Sequence, residues 1–368
     1  MRLPVFESPV PLRPADAAGP RDIRAVKVLR LSITDRCNFR CVYCMPEAGV
    51  RWLPREHLLT FEEICQVVRA AIDIHGIRRF KLTGGEPTVR RGLPDLVAML
   101  RRIRGVEDLS LTTNGMRLGD LAHPLRQAGL DRITVSVDSL RPDRFRRITR
   151  TGDLATVLRG VGCAEDAGFN SLKINCVTMR GTNDDELVDF ARFSLNRRLT
   201  VRFIEYMPLG ESAILDGRLV SESELGPAAG CGAQDRGADA LVPEAEVRER
   251  IESALGPLEP IDREDEPGVG PANVYRLAQG GAVGRIGFIS AMSAPFCATC
   301  NRLRLTADGI LRSCLFEGGS VDIRPTLRTL MDDAERQRAL ADLMIDCVAL
   351  KPIVHSQHGN EQMSRIGG

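Results

Sequence analysis

The sequence predicts an α/β protein, a partial (β/α)6-type TIM barrel followed by a smaller C-terminal region. Three observations carry the prediction. Short β-branched runs alternate with amphipathic segments from residue 26 to residue 207. Six such runs occur, which makes an open or partial barrel rather than a complete eight-unit one. Residues of unusual chemistry fall at or near the carboxyl ends of the runs, where parallel α/β folds build their sites.

The runs are "VKVLRLSI" (26–33), "RRFKLT" (78–83), "DLSLTT" (108–113), "RITVSV" (132–137), "LKINCVTM" (172–179) and "TVRFIEY" (200–206). Between the first two lies "TFEEICQVVRAAIDIHG". There Thr60 and Glu63 make a capping box, Ile64, Val67, Val68, Ala71 and Ile72 line one helical face, and Gly76 supplies the stop. Strand–helix–strand units at this spacing pair in parallel through right-handed crossovers. A cysteine-rich loop follows the first run, "GGEP" (84–87) the second, "TTNG" (112–115) the third and "SVDS" (136–139) the fourth.

The flanks read differently. Residues 1–25 are proline-rich and lack an apolar run, which predicts a flexible arm and neither a secretory signal nor a membrane span. After residue 207 the rhythm stops. Residues 208–245 include the Gly/Ala-rich "GPAAGCGAQDRGADA" (226–240) and read as a mobile insertion, and 246–368 form the less regular C-terminal region.

Of the 368 residues, 43% are hydrophobic and 27% charged, as in an ordinary soluble globular chain. The net charge of +1 gives no global attraction for nucleic acid or an anionic membrane, so anion binding has to come from local arginine and lysine clusters. Without an export signal, the eleven cysteines belong to a reducing cytoplasm, where clustered cysteines point to metal or catalysis over disulfides.

Two cysteine sets stand out. Cys37, Cys41 and Cys44 in "TDRCNFRCVYCMPE" (34–47) follow C-x3-C-x2-C, with Tyr43 adding an aromatic face. Cys297, Cys300 and Cys314 in "PFCATCNRLRLTADGILRSCLF" (295–316) follow C-x2-C-x13-C. Each set offers three ligands where a structural zinc site or a fully protein-ligated iron–sulfur cube takes four. Three ligands on a four-iron cube leave one iron open to a small molecule. The competing readings are a half-formed zinc knuckle or three packed cysteines with no metal at the first set, and zinc with a ligand contributed through space at the second; the next histidine, His355, is far along the chain. In the extended "NRLRL" segment Arg302 and Arg304 point to the same side, a site for a polyphosphate or polar heterocycle. Cys65, Cys163, Cys176 and Cys347 fall in helical, strand or apolar patterns and read as small buried hydrophobes, Cys231 as an exposed thiol, and His75 and His123 as local and structural.

The first cysteine motif together with "GGEP" resembles the radical S-adenosylmethionine superfamily over residues 26–207. The resemblance implies that Cys37, Cys41 and Cys44 hold a [4Fe–4S] cluster whose open iron is chelated by S-adenosylmethionine. It places Tyr43, Gly85, Ser136 and Met207 along that cofactor. The second cysteine stretch and the final "IGG" narrow the resemblance to the GTP 3′,8-cyclase family of molybdenum-cofactor biosynthesis. That family implies a second [4Fe–4S] cluster on Cys297, Cys300 and Cys314, in the C-terminal region, and GTP held by Arg30, Lys81, Thr112, Lys173, Arg302 and Arg304.

The reaction so implied is a radical cyclisation: a 5′-deoxyadenosyl radical takes hydrogen from ribose C3′, the carbon radical attacks guanine C8, and the adduct is reduced. The family commonly has arginine where Lys81 stands, so the charge survives here and the bidentate fork does not. Its double-glycine tail, Gly367 and Gly368 in this chain, is expected to reach into the active site. The resemblance also implies an electron donor such as flavodoxin or ferredoxin, cyclic pyranopterin monophosphate synthase as the next enzyme, a homodimer and a cytoplasmic location. No nucleic-acid or membrane partner is expected. Two other readings compete: a different radical S-adenosylmethionine enzyme with an auxiliary cluster, such as a peptide modifier, and a zinc-stabilised scaffold or nucleic-acid binder. One Trp and three Tyr offer little stacking surface for the last.

Overall fold

In the computed structural model Leu29 and Leu31 of strand β1 (Val28–Ser32) are fully buried, while Val28 and Arg30 on the opposite face are only partly so. That alternation, apolar toward the helices and polar toward the interior of the barrel, makes the strand one stave of a wall with a usable lumen. The structure describes residues 19–209, 214–215, 218–219, 240–262, 268, 270–278, 281–329, 332–355 and 363–366. Residues 1–18, most of the 208–245 insertion with Cys231, and Gly367 and Gly368 lie outside the described residues.

Strands β1, β2 (Arg79–Thr83), β3 (Asp108–Thr113), β4 (Arg132–Ser136), β5 (Leu172–Thr178) and β6 (Leu199–Glu205) pair in parallel in sequence order. The crossovers carry α1 (Phe61–Asp73), α2 (Leu93–Arg101), α3 (Leu118–Gln127), α4 (Pro142–Thr149) with α5 (Leu154–Asp166), and α6 (Leu187–Leu195). The capping box of α1 is present: the Glu63 amide donates to Thr60 Oγ1 (3.2 Å) and the Thr60 amide to Glu63 Oε2 (2.7 Å). The buried face of α1 includes Ile64, Val67, Val68, Ala71 and Ile72, the residues that the helical period selects.

The six-unit barrel does not stop where the sequence rhythm does. After a short hairpin, β7 (Ile214–Leu215) and β8 (Arg218–Leu219), come α7 (Glu244–Leu255), β9 (Leu258–Pro260), β10 (Asn273–Leu277) and β11 (Arg285–Ile289), and β11 adds in parallel to β6. On the opposite edge β12 (Arg302–Leu305) adds in parallel to β1, and β13 (Ile310–Arg312) and β14 (Ser320–Asp322) continue the sheet antiparallel. The strand order is therefore β14-β13-β12-β1-β2-β3-β4-β5-β6-β11-β10-β9, and β11 and β12 do not pair with each other. The C-terminal region thus supplies both flanks of the wall. Its strands are short and interrupted by arginine, which hides them from a period-2 reading.

The last helices, α8 (Arg324–Thr329), α9 (Asp333–Ala349) and α10 (Met363–Ile366), follow. Helix α9 lies on α1, where His75 Nε2 is 2.9 Å from the Ala341 carbonyl and Gln337 donates to the Gln66 carbonyl (3.3 Å). His75 therefore joins two distant segments and is not a local feature. Among the described residues no helix is long and apolar enough to cross a membrane.

Candidate active site

The six cysteines fall at opposite ends of the lumen. Cys37, Cys41 and Cys44 follow the carboxyl end of β1. Cys300 precedes the amino end of β12, which runs beside β1 with Arg302 level with Val28. The hairpin then turns back: Arg312 pairs with Arg304, so Cys314, two residues on, returns to the level of Arg302, two residues from Cys300. This register explains the C-x13-C spacing. β1 alone separates the two ends by about 13 Å at the usual strand rise.

The first cysteine loop rests on the "GGEP" turn. The Gly85 amide donates to the Thr34 carbonyl and the Glu86 amide to the Arg36 carbonyl, both at 2.7 Å. A Cβ on Gly85 would lie 2.4 Å from the carbonyl oxygens of Asp35 and Arg36, and Gly84 at φ +152° would meet the Thr34 carbonyl at 2.4 Å, so close backbone approach requires glycine at both. The fully buried Glu86 ties this turn to the third strand. It accepts from Thr113 Oγ1 and the Asn114 amide (both 2.6 Å) and from Thr88, while Asn114 Nδ2 donates to Asn38 Oδ1 (2.8 Å). Tyr43 donates to Asp138 Oδ2 (2.7 Å), and burial raises the Asp138 carboxyl to about 6.

The second loop is pinned by another carboxylate. Glu205, at the end of β6, accepts the Met292 and Ser293 amides at 2.8 Å and the Ser293 hydroxyl, just ahead of Cys297. His355 comes close, yet its backbone amide faces the Cys297 sulfur, its Nε2 sits 2.9 Å from the Ala291 carbonyl, and its ring stacks on Phe316 (4.1 Å, 11°). Among the described residues no three His, Cys, Asp or Glu side chains are grouped to hold a single ion.

All sixteen residues singled out from the sequence line one cavity of ≈ 350 Å³: the six cysteines, Tyr43, Gly85, Ser136, Met207, Arg30, Lys81, Thr112, Lys173, Arg302 and Arg304. The same lining holds Arg132 and Arg202, which sequence reasoning left inside strands as ordinary residues. Their signal was a charged residue amid an apolar run, at the parity that faces the lumen.

The lining thus carries seven cations and three carboxylates, Glu86, Asp108 and Asp138. Asp108 is paired to Arg132, whose Nε lies 2.8 Å away, and the other two are engaged as described. Lys81 and Arg202 share Thr134 Oγ1 at 3.3 and 3.4 Å. Burial, then the charges of Arg202, Arg30, Arg132 and Lys173, push the Lys81 ammonium well below its ordinary range. Burial, then Arg304, Arg302 and Arg202, do the same to Arg30, and burial with Arg302 lowers Arg304 to about 10. Such mutual repulsion in a desolvated lumen is relieved by a polyanion.

The thiols follow the same physics. Burial pushes Cys37 up to about 11 and, with Cys44 beside it, drives Cys41 well above its usual range. At Cys300 burial also raises the thiol, but the charges of Arg302 and Lys351 and the hydrogen bonds from Arg302 outweigh it and hold it below the ordinary value.

Comparison with known proteins agrees with this geometry. The Radical SAM superfamily profile matches residues 31–194, and that for Molybdenum Cofactor Synthesis C matches 224–357. A GTP 3′,8-cyclase of Pelotomaculum thermopropionicum is 45% identical over 94% of this chain and 98% of its own length. The chain belongs to the GTP 3′,8-cyclase family. Other enzymes of that name, from Moorella thermoacetica (44% identity, 94% of this chain and 98% of theirs) and Pseudomonas putida (43%, 90% and 90%), match as well. Among solved structures, Streptococcus suis SuiB bound to precursor peptide SuiA superposes with a TM-score of 0.54 at 12% identity, covering 89% of this chain and 66% of that one; the likeness is one of fold.

As a radical S-adenosylmethionine family member, the chain has a [4Fe–4S] cluster and S-adenosylmethionine as cofactors. The residues fit them. Three free cysteines face one cavity, Cys37 Sγ accepts the Phe39 amide at 3.4 Å as a ligating thiolate does, and Gly84, Gly85 and Glu86 of the glycine turn line the same cavity. Bound iron opposes the burial that keeps these thiols neutral, since a coordinated thiol is deprotonated outright.

Two predictions follow from the loop contacts. Gly85→Ala forces the cysteine loop off the turn; the purified variant keeps its far-UV circular dichroism but loses first-loop iron and S-adenosylmethionine binding, read by iron analysis and equilibrium dialysis. Glu205→Ala strands the Met292, Ser293 and Glu244 amides, at a local cost of about 1–3 kcal/mol each. Hydrogen-exchange mass spectrometry then shows faster exchange in peptides covering 290–296 and no change around 84–91.

Proposed function

We infer that this chain is a radical S-adenosylmethionine GTP 3′,8-cyclase, converting GTP to 3′,8-cyclo-7,8-dihydro-GTP in molybdenum-cofactor biosynthesis. The observation that carries the reading is the pairing, in one lumen, of the family's cofactor motif with a second three-cysteine loop and seven cations between them. Cys37, Cys41 and Cys44 are assigned to the first cluster, and Tyr43, Gly85, Ser136 and Met207 to S-adenosylmethionine. When bound, that pair of cofactors supplies a 5′-deoxyadenosyl radical, which takes hydrogen from ribose C3′.

The protein's own contribution is placement. Arg30, Lys173, Arg302 and Arg304, with Lys81 and Thr112, are assigned to the triphosphate and sugar, and Arg202 joins them on its position in the lining. Cys297, Cys300 and Cys314 fit a second [4Fe–4S] cluster that leaves one iron for the guanine. A substrate gripped at the base and along the triphosphate has its ribose set toward the first loop, which turns an improbable ring closure into a positioned one. The wall of β-strands, unpaired between β11 and β12, shields the radical from water and stray hydrogen donors on the sides it covers. An external one-electron donor such as flavodoxin or ferredoxin, a successor enzyme, cyclic pyranopterin monophosphate synthase, and a homodimer complete the reading.

Anaerobic incubation of the cluster-loaded protein with GTP, S-adenosylmethionine and dithionite, followed by mass spectrometry of the nucleotide, tests it. The expected product has the mass of GTP and elutes apart from it, with 5′-deoxyadenosine and methionine formed alongside. Cys297→Ser is expected to retain S-adenosylmethionine cleavage and to yield no cyclised nucleotide. Normal product from that variant refutes the role assigned to the second loop.

A further inference from the structure

Lys351 is 2% exposed, follows helix α9 and does not line the cavity that holds the other cations of the site. Its Nζ donates to the carbonyl of Cys300 at 3.1 Å, so it approaches the second cysteine loop from behind. The backbone around it is fixed: its amide donates to the Val348 carbonyl (3.1 Å), and Arg21 Nε donates to its own carbonyl (2.7 Å). Burial, and the charge of Arg302, lower the Lys351 ammonium from its ordinary range, while the Cys300, Cys314 and Cys347 sulfurs act the other way. A buried ammonium needs a countercharge, because desolvation costs several kcal/mol per ion. Two of the three cysteines assigned to the second cluster stand where that countercharge would form.

We propose that Lys351 is the positioning residue of the second cysteine loop, and that its buried charge sets the reduction potential of the cluster held there. The inference rests on the assignment of a second cluster to Cys297, Cys300 and Cys314. Its physical basis is simple. A cube on three thiolates becomes more negative when it accepts an electron, and a fixed cation behind one ligand favours that reduced state. Arg302 and Arg304 line the lumen, and Arg302 Nη2 reaches the Cys300 sulfur (3.7 Å) from that side, where a bound anion would share its charge; Lys351 lies outside the lining and approaches the loop from behind. The ammonium also holds the Cys300 carbonyl, which keeps the loop in place.

The test uses the full chain carrying Cys37→Ser, Cys41→Ser and Cys44→Ser, reconstituted anaerobically so that only the second cluster contributes. Iron content and the midpoint potential, by electron paramagnetic resonance redox titration, are read with Lys351, Lys351→Arg, Lys351→Gln and Lys351→Met. Lys351→Gln keeps a donor for the Cys300 carbonyl and removes the charge; Lys351→Arg keeps the charge. The proposal expects about four irons in the Lys351 and Lys351→Gln proteins, with the Lys351→Gln midpoint displaced to more negative potential and Lys351→Arg restored toward the parent. Lys351→Met is expected to show the same displacement together with reduced iron retention. A Lys351→Gln midpoint equal to the parent's, with iron intact, overturns the role of Lys351 and leaves the second cluster standing. An iron-free parent that binds one zinc instead overturns both.

Discussion

Seven positive side chains share one desolvated lumen, and their mutual repulsion is the constraint around which the rest of the site is arranged. The strands that carry them are fixed by a helix layer whose apolar residues are almost completely buried, so the cations cannot move apart to relieve the strain. The three carboxylates in the lining are engaged with Arg132, with Tyr43 or with the third-strand amides and hydroxyls. What remains is a preassembled field for a multiply charged anion. Nothing has to be recruited when substrate enters, which is how fixed dipoles and charges lower the cost of binding.

The sheet topology gives that field its two ends. Because β12 runs parallel to β1, the loop before it lies at the amino end of the wall while the first cysteine loop lies at the carboxyl end. The antiparallel return of β13 brings the third cysteine of the second set back to its partners. An anion held in the middle therefore has one cysteine triad at each end. The chain places its two cysteine triads at opposite ends of the lumen by strand direction alone.

Much of this was legible in the sequence, for identifiable reasons. Strands β1 to β6 announce themselves by β-branched alternation, and the capping box at Thr60 and Glu63 marks α1 to the residue. Motif residues such as Cys37, Gly85 and Arg304 declare themselves by spacing or by lying beside a cysteine-rich loop. Arg132 and Arg202 do not, because a single charge in a strand is also what a solvent-facing wall looks like until the register is known. Glu205 and Lys351 were invisible for a different reason. Each acts on a loop distant in sequence, Glu205 on residues 292–293 and Lys351 on Cys300, and only the fold brings them there. Strand β11 was missed, and β12 was read as extended without its place beside β1, because pairing with β6 and β1, not local pattern, makes them part of the wall.

The claim that the lumen is built for a polyanion is tested most directly by the thermal midpoint of the cluster-loaded protein, measured without oxygen in the presence of inorganic triphosphate, GTP or guanosine. Relief of cation repulsion predicts that triphosphate and GTP both raise the midpoint, that added salt weakens the effect, and that guanosine alone does far less. A midpoint raised equally by guanosine, or untouched by triphosphate, contradicts the account.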